Sequence, residues 1–453
     1  MLAICFNSTA QTLAPFKKGD RVVFTGNSIT DGGHYHSYIW LYYITRFPNR
    51  RIDVFNAGIG GDVAQQMYER LQSDVFVHKP TVVTLGFGMN DTGYQFLDGA
   101  KADSAYDRKI EASEHSFNNI ARFFNAHRGI RYIMLGSSPY DGTSKIKAIN
   151  LYHKNLALQK LLRYQKQQAE RNKWPFIDFN RPMQAINERE QQRDTSFTME
   201  GFDRIHPTND GHMVMAYLFL TAQGLGDKKV ADITIDSETK KLQKVENCTI
   251  SKIQFKAKSL TFNYLAKALP YPIDTLPRGG GNQPRSQADA LKLIPFTQRF
   301  NQELLTVTGL NAQDKYQLSI DDIKIGEWSG ESFAHGINLA ILQNTPQYQQ
   351  ALAIMHLNEE RWALERKLRE YYWIHYSILK PKGLLFNNAV PIADSLRKYA
   401  RKDYFIAATL GTYNAARFKA VRNTWLKEIK LITDQLYTIN KPVVHTISVM
   451  PAN

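Results

Sequence analysis

The chain contains little cysteine and no long apolar run. Cys5 and Cys248 are its two cysteines among 453 residues, so no disulfide framework is implied. No stretch approaches the roughly 18 consecutive apolar residues that a transmembrane helix needs. These absences exclude a disulfide-stapled miniprotein and an integral membrane protein, while the length predicts two or three domains.

The charge balance is basic, with a formal net charge of +15. Such a balance favours an acidic polysaccharide, a membrane surface or a nucleic acid as partner, unless the charged residues simply face water. The basic residues are scattered and no nucleic-acid-binding motif is present, so we expect no nucleic-acid partner. The sequence does not determine the oligomeric state.

Four short segments carry the candidate chemistry, at 26–30, 56–62, 88–91 and 203–206. The first three each follow an apolar run that predicts a buried strand. The carboxyl ends of parallel strands meet at one edge of a sheet, where α/β proteins place their ligands. We therefore expect the four segments to converge.

Ser28 is the candidate nucleophile, exposed by a tight turn that Gly26 permits. A serine hydroxyl needs a base within hydrogen-bond reach and a third group that orients the base. Asp203 and His206, three residues apart, can supply both. Taken singly, Ser28 also suits a turn or a helix N-cap, and Asp203 suits the cap of a helix that begins at Pro207.

Two further positions offer hydrogen-bond donors to a developing oxyanion. Gly61, after Gly60, offers a backbone N–H with no side chain in the way, and Asn90 offers a side-chain amide. Each alone is typical of a turn. Together with Ser28 and His206, in this order, they predict an acyl-transfer site that requires no metal and no cofactor.

These blocks resemble the Ser, Gly, Asn and His signature of the SGNH hydrolases in the GDSL esterase superfamily, over roughly residues 17–225. The resemblance implies Ser28 as nucleophile, His206 as base with Asp203 as its partner, and an oxyanion hole formed by Ser28 N–H, Gly61 and Asn90. One departure is Asn27, which stands where the family usually has an aspartate. Asparagine keeps the size and hydrogen-bonding reach but not the charge.

The pattern predicts an α/β fold, with a doubly wound, mostly parallel five-stranded sheet of the flavodoxin-like kind, as in SGNH hydrolases. The predicted strands are 21–25, 52–57, 81–87, 131–137 and 174–179. The predicted helices lie near 35–47, 63–78, 106–127, 145–172 and 208–221. We assign residues 17–227 to this catalytic domain.

The pattern changes after residue 227. Period-two alternation predicts a small unit of antiparallel strands over 228–328. A C-terminal helical unit over 329–453 follows, with a long amphipathic helix at 345–379, two helices near 391–402 and 414–437, and a terminal strand at 443–449.

Four residues are candidate substrate contacts: His34 and Asn27 beside Ser28, and His335 and Asn338 in a turn that could overhang the cleft. His34 and His36 also form a His-x-His pair, but positions two apart on a helix point to different faces, which argues against a metal site.

The N-terminal segment 1–11 resembles the end of a secretory signal, with an apolar piece before small residues around Ala10. A lipoprotein anchor at Cys5 is the alternative. We therefore expect a secreted or periplasmic protein.

The sequence thus predicts a secreted serine esterase that removes a small acyl group, with acetyl favoured, from a carbohydrate or another small ester. The carbohydrate assignment rests on the expected export, the basic charge and the resemblance to exported sugar-acetyl esterases. A lysophospholipase or thioesterase on the same fold is the alternative enzyme, although no extended apolar lid segment is evident. A glycan-binding protein without turnover is the alternative of another class.

Overall fold

The computed structural model describes residues 13–256, 259–277 and 285–452. The signal-like segment 1–11, with Cys5, lies outside the described residues. Within the described part of the chain, no helix is both long enough and apolar enough to cross a lipid bilayer.

A parallel five-stranded sheet forms the first part of the fold. Its strands are β1 (Arg21–Gly26), β2 (Asp53–Gly58), β3 (Val82–Phe87), β4 (Arg131–Gly136) and β5 (Phe176–Asp178). The order across the sheet is β2-β1-β3-β4-β5. Val22 and Phe24 pack on one face and Val23 on the other, which explains the uninterrupted apolar run of β1. The predicted α/β fold class is confirmed.

Helices cover both faces of this sheet. They are α1 (Ser28–Asp31), α2 (Tyr35–Arg46), α3 (Ala64–Arg70), α4 (Gly99–Ala126), α5 (Lys154–Asn172), α6 (Asn180–Gln191) and α7 (Asn209–Ala222). Residues of α2 and α7 share a core with Phe24, whereas residues of α3, α4 and α5 share one with Val23.

Several of these helices differ from the sequence prediction: α1 is not predicted, and α4 begins at Gly99 rather than near 106. The helix predicted for 145–172 begins at Lys154, because the preceding segment is held as a loop by Arg204. The Arg204 guanidinium donates to the carbonyls of Asp141 and Ser144, each at 2.9 Å. The sequence does not predict α6, which is largely polar.

Two smaller sheets follow. Their strands are β6 (Ala231–Asp236), β7 (Lys241–Glu246), β8 (Cys248–Lys256), β9 (Ser259–Ala266), β10 (Glu303–Thr308), β11 (Lys315–Ile320), β12 (Ile323–Ser329), β13 (Ile337–Asn338) and β14 (His445–Pro451). The sheet orders are β13-β10-β6-β7 and β12-β11-β14-β9-β8. β6 and β10 pair in parallel, so the expectation of antiparallel strands alone is wrong. The terminal strand β14 pairs with β9 and β11.

The remaining helices lie mostly near the C-terminus. They are α8 (Phe296–Phe300), α9 (Gly330–His335), α10 (Pro346–Trp373), α11 (Val390–Ala400), α12 (Tyr404–Ala416) and α13 (Lys419–Ile439). α10 begins where the side chain of Thr345 accepts from the backbone N–H of Tyr348, and it continues as a wider π-helical segment, Ile374–Leu379. Three helices rather than two follow it, because Asp403 caps an additional helix, α12.

α10 and α13 pack directly on the first part of the fold. Ile354, Met355 and Leu436 belong to the same apolar core as Ile39 of α2. We retain 17–227, 228–328 and 329–453 as a proposal for the units of the chain. Through that shared core, α10 and α13 pack against the part of the fold that contains the first sheet.

His36 is a buried histidine whose charge state affects stability. Its side chain is fully buried, its Nε2 lies 3.2 Å from the Thr30 carbonyl oxygen, and burial lowers its pKa to about 4. As pH falls, this imidazole is protonated in the unfolded chain before it is protonated in the folded chain. The free energy of unfolding therefore decreases between about pH 6.5 and pH 4.

His36→Gln retains a hydrogen-bond donor and removes that proton linkage. Relative to the variant, the wild type should lose about 3 kcal/mol of unfolding free energy over this window, because each tenfold difference in proton affinity between the folded and unfolded chain is worth about 1.4 kcal/mol. Urea unfolding at pH 7, 6, 5 and 4 measures the difference, with exposed His115→Gln as control. Parallel pH profiles for wild type and His36→Gln would contradict the buried, neutral imidazole.

Candidate active site

The serine loop, defined as residues 27–34, joins β1 to α2 and contains α1. The Asn27 side-chain oxygen accepts from the backbone N–H of Ile29 at 3.0 Å and so caps α1. Aspartate would offer the same kind of acceptor, so the cap survives without the charge. Ser28 becomes the first residue of α1, half-buried at the carboxyl edge of the sheet.

Ser28, His206 and Asp203 form one chain of contacts. Ser28 Oγ lies 2.8 Å from His206 Nε2, and His206 Nδ1 lies 2.5 Å from Asp203 Oδ2. Since a carboxylate only accepts, Nδ1 carries the proton and Nε2 is left to accept from the serine. Burial alone would raise the pKa of Asp203, but the hydrogen bond and charge of His206 outweigh it and the pKa lies below its usual value.

The turn that carries Asp203 and His206 is fixed by its own hydrogen bonds. Asp203 Oδ1 accepts from the backbone N–H groups of Ile205 at 2.9 Å and His206 at 3.0 Å. Between them Arg204 adopts a positive φ of 64° and sends its buried guanidinium to the carbonyl of Asp141. Sequence reasoning missed this role of Arg204.

The glycine loop, defined as residues 56–62, touches the serine loop. A Cβ atom on Gly58 would lie 2.2 Å from the backbone nitrogen of Asp31, so only glycine fits there. Asp31 Oδ2 also accepts from Gly60 N–H at 3.2 Å. Gly61 has a φ of +86°, a conformation that glycine adopts without strain.

The asparagine loop, defined as residues 88–94, lies against the glycine loop. Asn90 Nδ2 donates to the Asp62 carbonyl at 3.0 Å, and Asn90 Oδ1 accepts from the Tyr94 hydroxyl at 2.6 Å. The second hydrogen of Asn90 Nδ2 therefore has no acceptor among the described residues. Among the described residues, the backbone N–H groups of Ser28 and Gly61 also have no acceptor.

Lys154 binds the asparagine loop through its buried ammonium group. Its ammonium lies 4.5 Å from the centre of the Tyr94 ring, and burial lowers its pKa to about 7. It donates at 2.5 Å to each of three loop oxygens: Met89 O, Thr92 Oγ1 and Gly93 O. Lys154 therefore holds in place the loop that presents Asn90.

Helix α10 binds the serine loop. Trp362 Nε1 donates to the Gly33 carbonyl at 3.3 Å. One turn later, the Arg366 guanidinium donates to the Asp31 carbonyl at 2.9 Å and forms an ion pair with the Asp31 carboxylate.

The same helix binds the glycine loop. Arg369 Nε donates to the Gly58 carbonyl at 2.9 Å, and its two terminal nitrogens form a bidentate pair with Asp74, each at 2.8 Å. Trp373 Nε1 donates to the Gly60 carbonyl at 3.1 Å. One helix from the end of the chain thus contacts both loops that border Ser28.

A cavity of about 350 Å³ opens beside Ser28. One wall consists of the serine loop and the turn that carries Asp203 and His206. The opposite wall is supplied by α10 and α12, through Trp362, Arg366, Glu370, Trp373, Phe405 and Thr409.

The structure places the four candidate substrate contacts away from the lining of this cavity. His34 is buried behind it, stacked on Trp362 with ring centres 4.0 Å apart, and Asn27 is buried as the cap of α1. His335 is exposed, with Nδ1 2.8 Å from the Glu331 carbonyl oxygen. Asn338 accepts from Glu303 N–H at 2.9 Å on β13.

The residues of α10 that line the cavity were not predicted from the sequence. Trp362, Arg366, Glu370 and Trp373 follow one another at helical spacing, so they share a face. Two charged residues between two tryptophans are unusual for a buried helix face. This mixture of charged residues and tryptophans was the sequence feature that could have indicated a helix face lining a cavity.

The comparisons with known proteins agree with this geometry. Residues 24–214 match the model of the GDSL-like Lipase/Acylhydrolase family, and residues 352–441 match the Diltiazem deacetylase C-terminal helical domain. The chain belongs to the GDSL-like lipase/acylhydrolase family, and it is an esterase or acylhydrolase of the SGNH type.

Two relatives are informative. A gut microbial diltiazem-metabolizing enzyme of known structure is 48% identical, covering 98% of this chain and 100% of its own, with a TM-score of 0.93. The acetylxylan esterase of Geobacillus stearothermophilus is 25% identical over 226 residues, and the match covers 46% of this chain and 94% of that relative.

The arrangement at Ser28 offers a hydroxyl, a base in contact with it, a carboxylate that orients the base, and unoccupied N–H donors nearby. These are the groups that acyl transfer through a covalent intermediate requires. Within the described ranges, no three histidine, cysteine, aspartate or glutamate side chains cluster in a way that could hold a metal ion.

Proposed function

We propose that the protein is a serine acetylesterase in which Ser28 attacks the ester carbonyl. His206 takes the serine proton and returns it to the leaving alcohol, and Asp203 holds the imidazole and stabilises its charged form. The N–H groups of Ser28 and Gly61 and the Asn90 amide stabilise the tetrahedral oxyanion. Water then releases acetate from Ser28 by the same steps.

The observation that carries this proposal is the contact chain from Ser28 Oγ through His206 to Asp203 at the edge of a cavity. Three N–H hydrogens without a protein acceptor in the described part of the chain, those of Ser28 N, Gly61 N and one on Asn90 Nδ2, lie on the serine, glycine and asparagine loops around it. Donors that are already oriented in the free enzyme stabilise the transition state without a reorganisation cost.

The choice of acetyl rests on the relatives. The helical-domain family that matches residues 352–441 is named for diltiazem deacetylation, and those residues include most of the helices that form the second wall of the cavity. The size of the cavity and its tryptophan and phenylalanine lining suit the acetate ester of a compact aromatic alcohol.

A carbohydrate acetate is the second candidate substrate, favoured by the acetylxylan esterase relationship. That relationship covers 46% of this chain, whereas the relationship to the diltiazem-metabolizing enzyme covers 98% of it. Comparing kcat/KM on diltiazem with kcat/KM on acetylated xylo-oligosaccharides decides between the two candidates. We expect diltiazem to be the better substrate.

Ser28→Ala tests the proposed chemistry directly. Turnover of p-nitrophenyl acetate and diltiazem should fall by about 10⁴-fold or more, because the variant has no nucleophile. The circular dichroism spectrum should stay unchanged, and exposed Ser251→Ala should retain full activity. If Ser28→Ala kept more than about a tenth of the turnover, the assignment of Ser28 would fail.

Tyr94→Phe tests the oxyanion role of Asn90 without removing the amide. The hydroxyl that holds Asn90 Oδ1 is lost, so we expect kcat to fall about ten-fold and KM to change little. Asn90→Ala should cost about 10²–10³ in kcat. Steady-state kinetics on p-nitrophenyl acetate, with exposed Tyr399→Phe as control, measure this. A raised KM at constant kcat would instead make Asn90 a substrate-binding residue.

We also propose that the protein is exported to the periplasm or the medium, on the signal-like pattern of segment 1–11. Fractionation of the native cells and N-terminal sequencing of the isolated protein test this. A protein found only in the cytoplasmic fraction, with an uncleaved N-terminus, would contradict export.

A further inference from the structure

The face of α10 that lines the cavity carries a carboxylate between two tryptophans. Trp362, Arg366, Glu370 and Trp373 are spaced by four, four and three residues, so each turn of the helix places one of them on this face. Glu370 is half-buried there.

The other ionisable side chains named in the lining each have a partner. The Arg366 guanidinium forms an ion pair with Asp31, and the Asp203 carboxylate accepts a hydrogen bond from His206 Nδ1. Among the described residues, the Glu370 carboxylate has no hydrogen-bond or ion-pair partner. The cavity therefore keeps an uncompensated negative charge, although the whole chain has a net charge of +15.

The rings beside this carboxylate present carbon surface. Both tryptophan N–H groups donate to loop carbonyls, at Gly33 and Gly60, so neither is available to a ligand. Phe405 of α12 lies 6.5 Å from Trp373 between ring centres. A carboxylate and several aromatic rings that line one cavity are groups that bind ammonium cations, through charge and through the ring quadrupoles.

We propose that the preferred substrates are acetate esters of alcohols that carry a cationic ammonium group, and that Glu370, Trp373 and Phe405 bind that group. This inference rests on the proposed function, and it names the class of alcohol. An anionic substrate is disfavoured, because the Arg366 guanidinium is already held by Asp31.

Pairs of esters with the same shape and different charge test the proposal. Each pair consists of a trimethylammonio-alkyl acetate and its neutral carbon isostere, beginning with acetylcholine and 3,3-dimethylbutyl acetate. Homologues with one and two further methylenes allow for the distance between Ser28 and Glu370. The measured quantity is the ratio of kcat/KM for the charged ester to kcat/KM for the neutral one.

For the wild type we expect a ratio of about ten or more in at least one pair. In Glu370→Gln that ratio should fall close to one. Glu360→Gln makes the same charge change on an exposed position of the same helix, so it should retain the wild-type ratio and activity. A wild-type ratio near one in every pair, or an equal fall in Glu360→Gln, would overturn the proposal.

Binding separates this inference from the proposed function. Phenyltrimethylammonium should quench the tryptophan fluorescence of the wild type in a saturable manner, and Glu370→Gln should weaken that binding about ten-fold. If no ester is hydrolysed but this binding is present and depends on Glu370, the esterase proposal fails and the cation site stands. If binding is the same in both proteins, the cation site is refuted whatever the activity.

Discussion

The ion pair between Arg366 and Asp31 is the contact on which the site geometry depends. Asp31 belongs to the serine loop, and its second carboxylate oxygen accepts from Gly60 of the glycine loop. Through the Asp31 side chain, Arg366 therefore connects the serine loop, which carries the nucleophile, to the glycine loop, which carries the Gly61 backbone donor. One turn later, Arg369 joins Gly58 of the glycine loop to Asp74. These guanidiniums are placed by a helix that begins more than 300 residues after Ser28.

This construction connects catalysis to substrate choice. The side of α10 that fixes the loops also forms the wall of the cavity, with Trp373 contributing to both. In our proposal, the parallel sheet supplies the acyl-transfer groups and the C-terminal helices determine which alcohol can leave. A change of the α10 face would therefore alter specificity and loop order together, whereas a change on the sheet side would act mainly on chemistry.

The sequence predicts the sheet and the contacts of Ser28 with His206 well, because each segment follows an apolar strand and residue types limit the possible chemistry. The sequence does not predict the features that depend on tertiary contacts. β7 is exposed along its length and so lacks alternation, and strand alternation does not encode the parallel pairing of β6 with β10. The aromatic stripe of α10 has the same periodicity whether it faces a core or a cavity. His335 ends α9 and Asn338 lies in β13, where the sequence predicts a turn, because nothing in the sequence shows how this segment packs.

Hydrogen exchange in the full-length chain tests the central role of α10 most directly. We compare the wild type with Arg369→Met, and with Arg397→Met, which removes an exposed arginine paired only with Asp394 among the described residues. We predict that Arg369→Met increases exchange at the amides of residues 56–62, with the interior amides of β3 unchanged as an internal reference. Arg397→Met should match the wild type. Unchanged protection of residues 56–62 in Arg369→Met would contradict the account, because the glycine loop would then hold its conformation without the Arg369 contact.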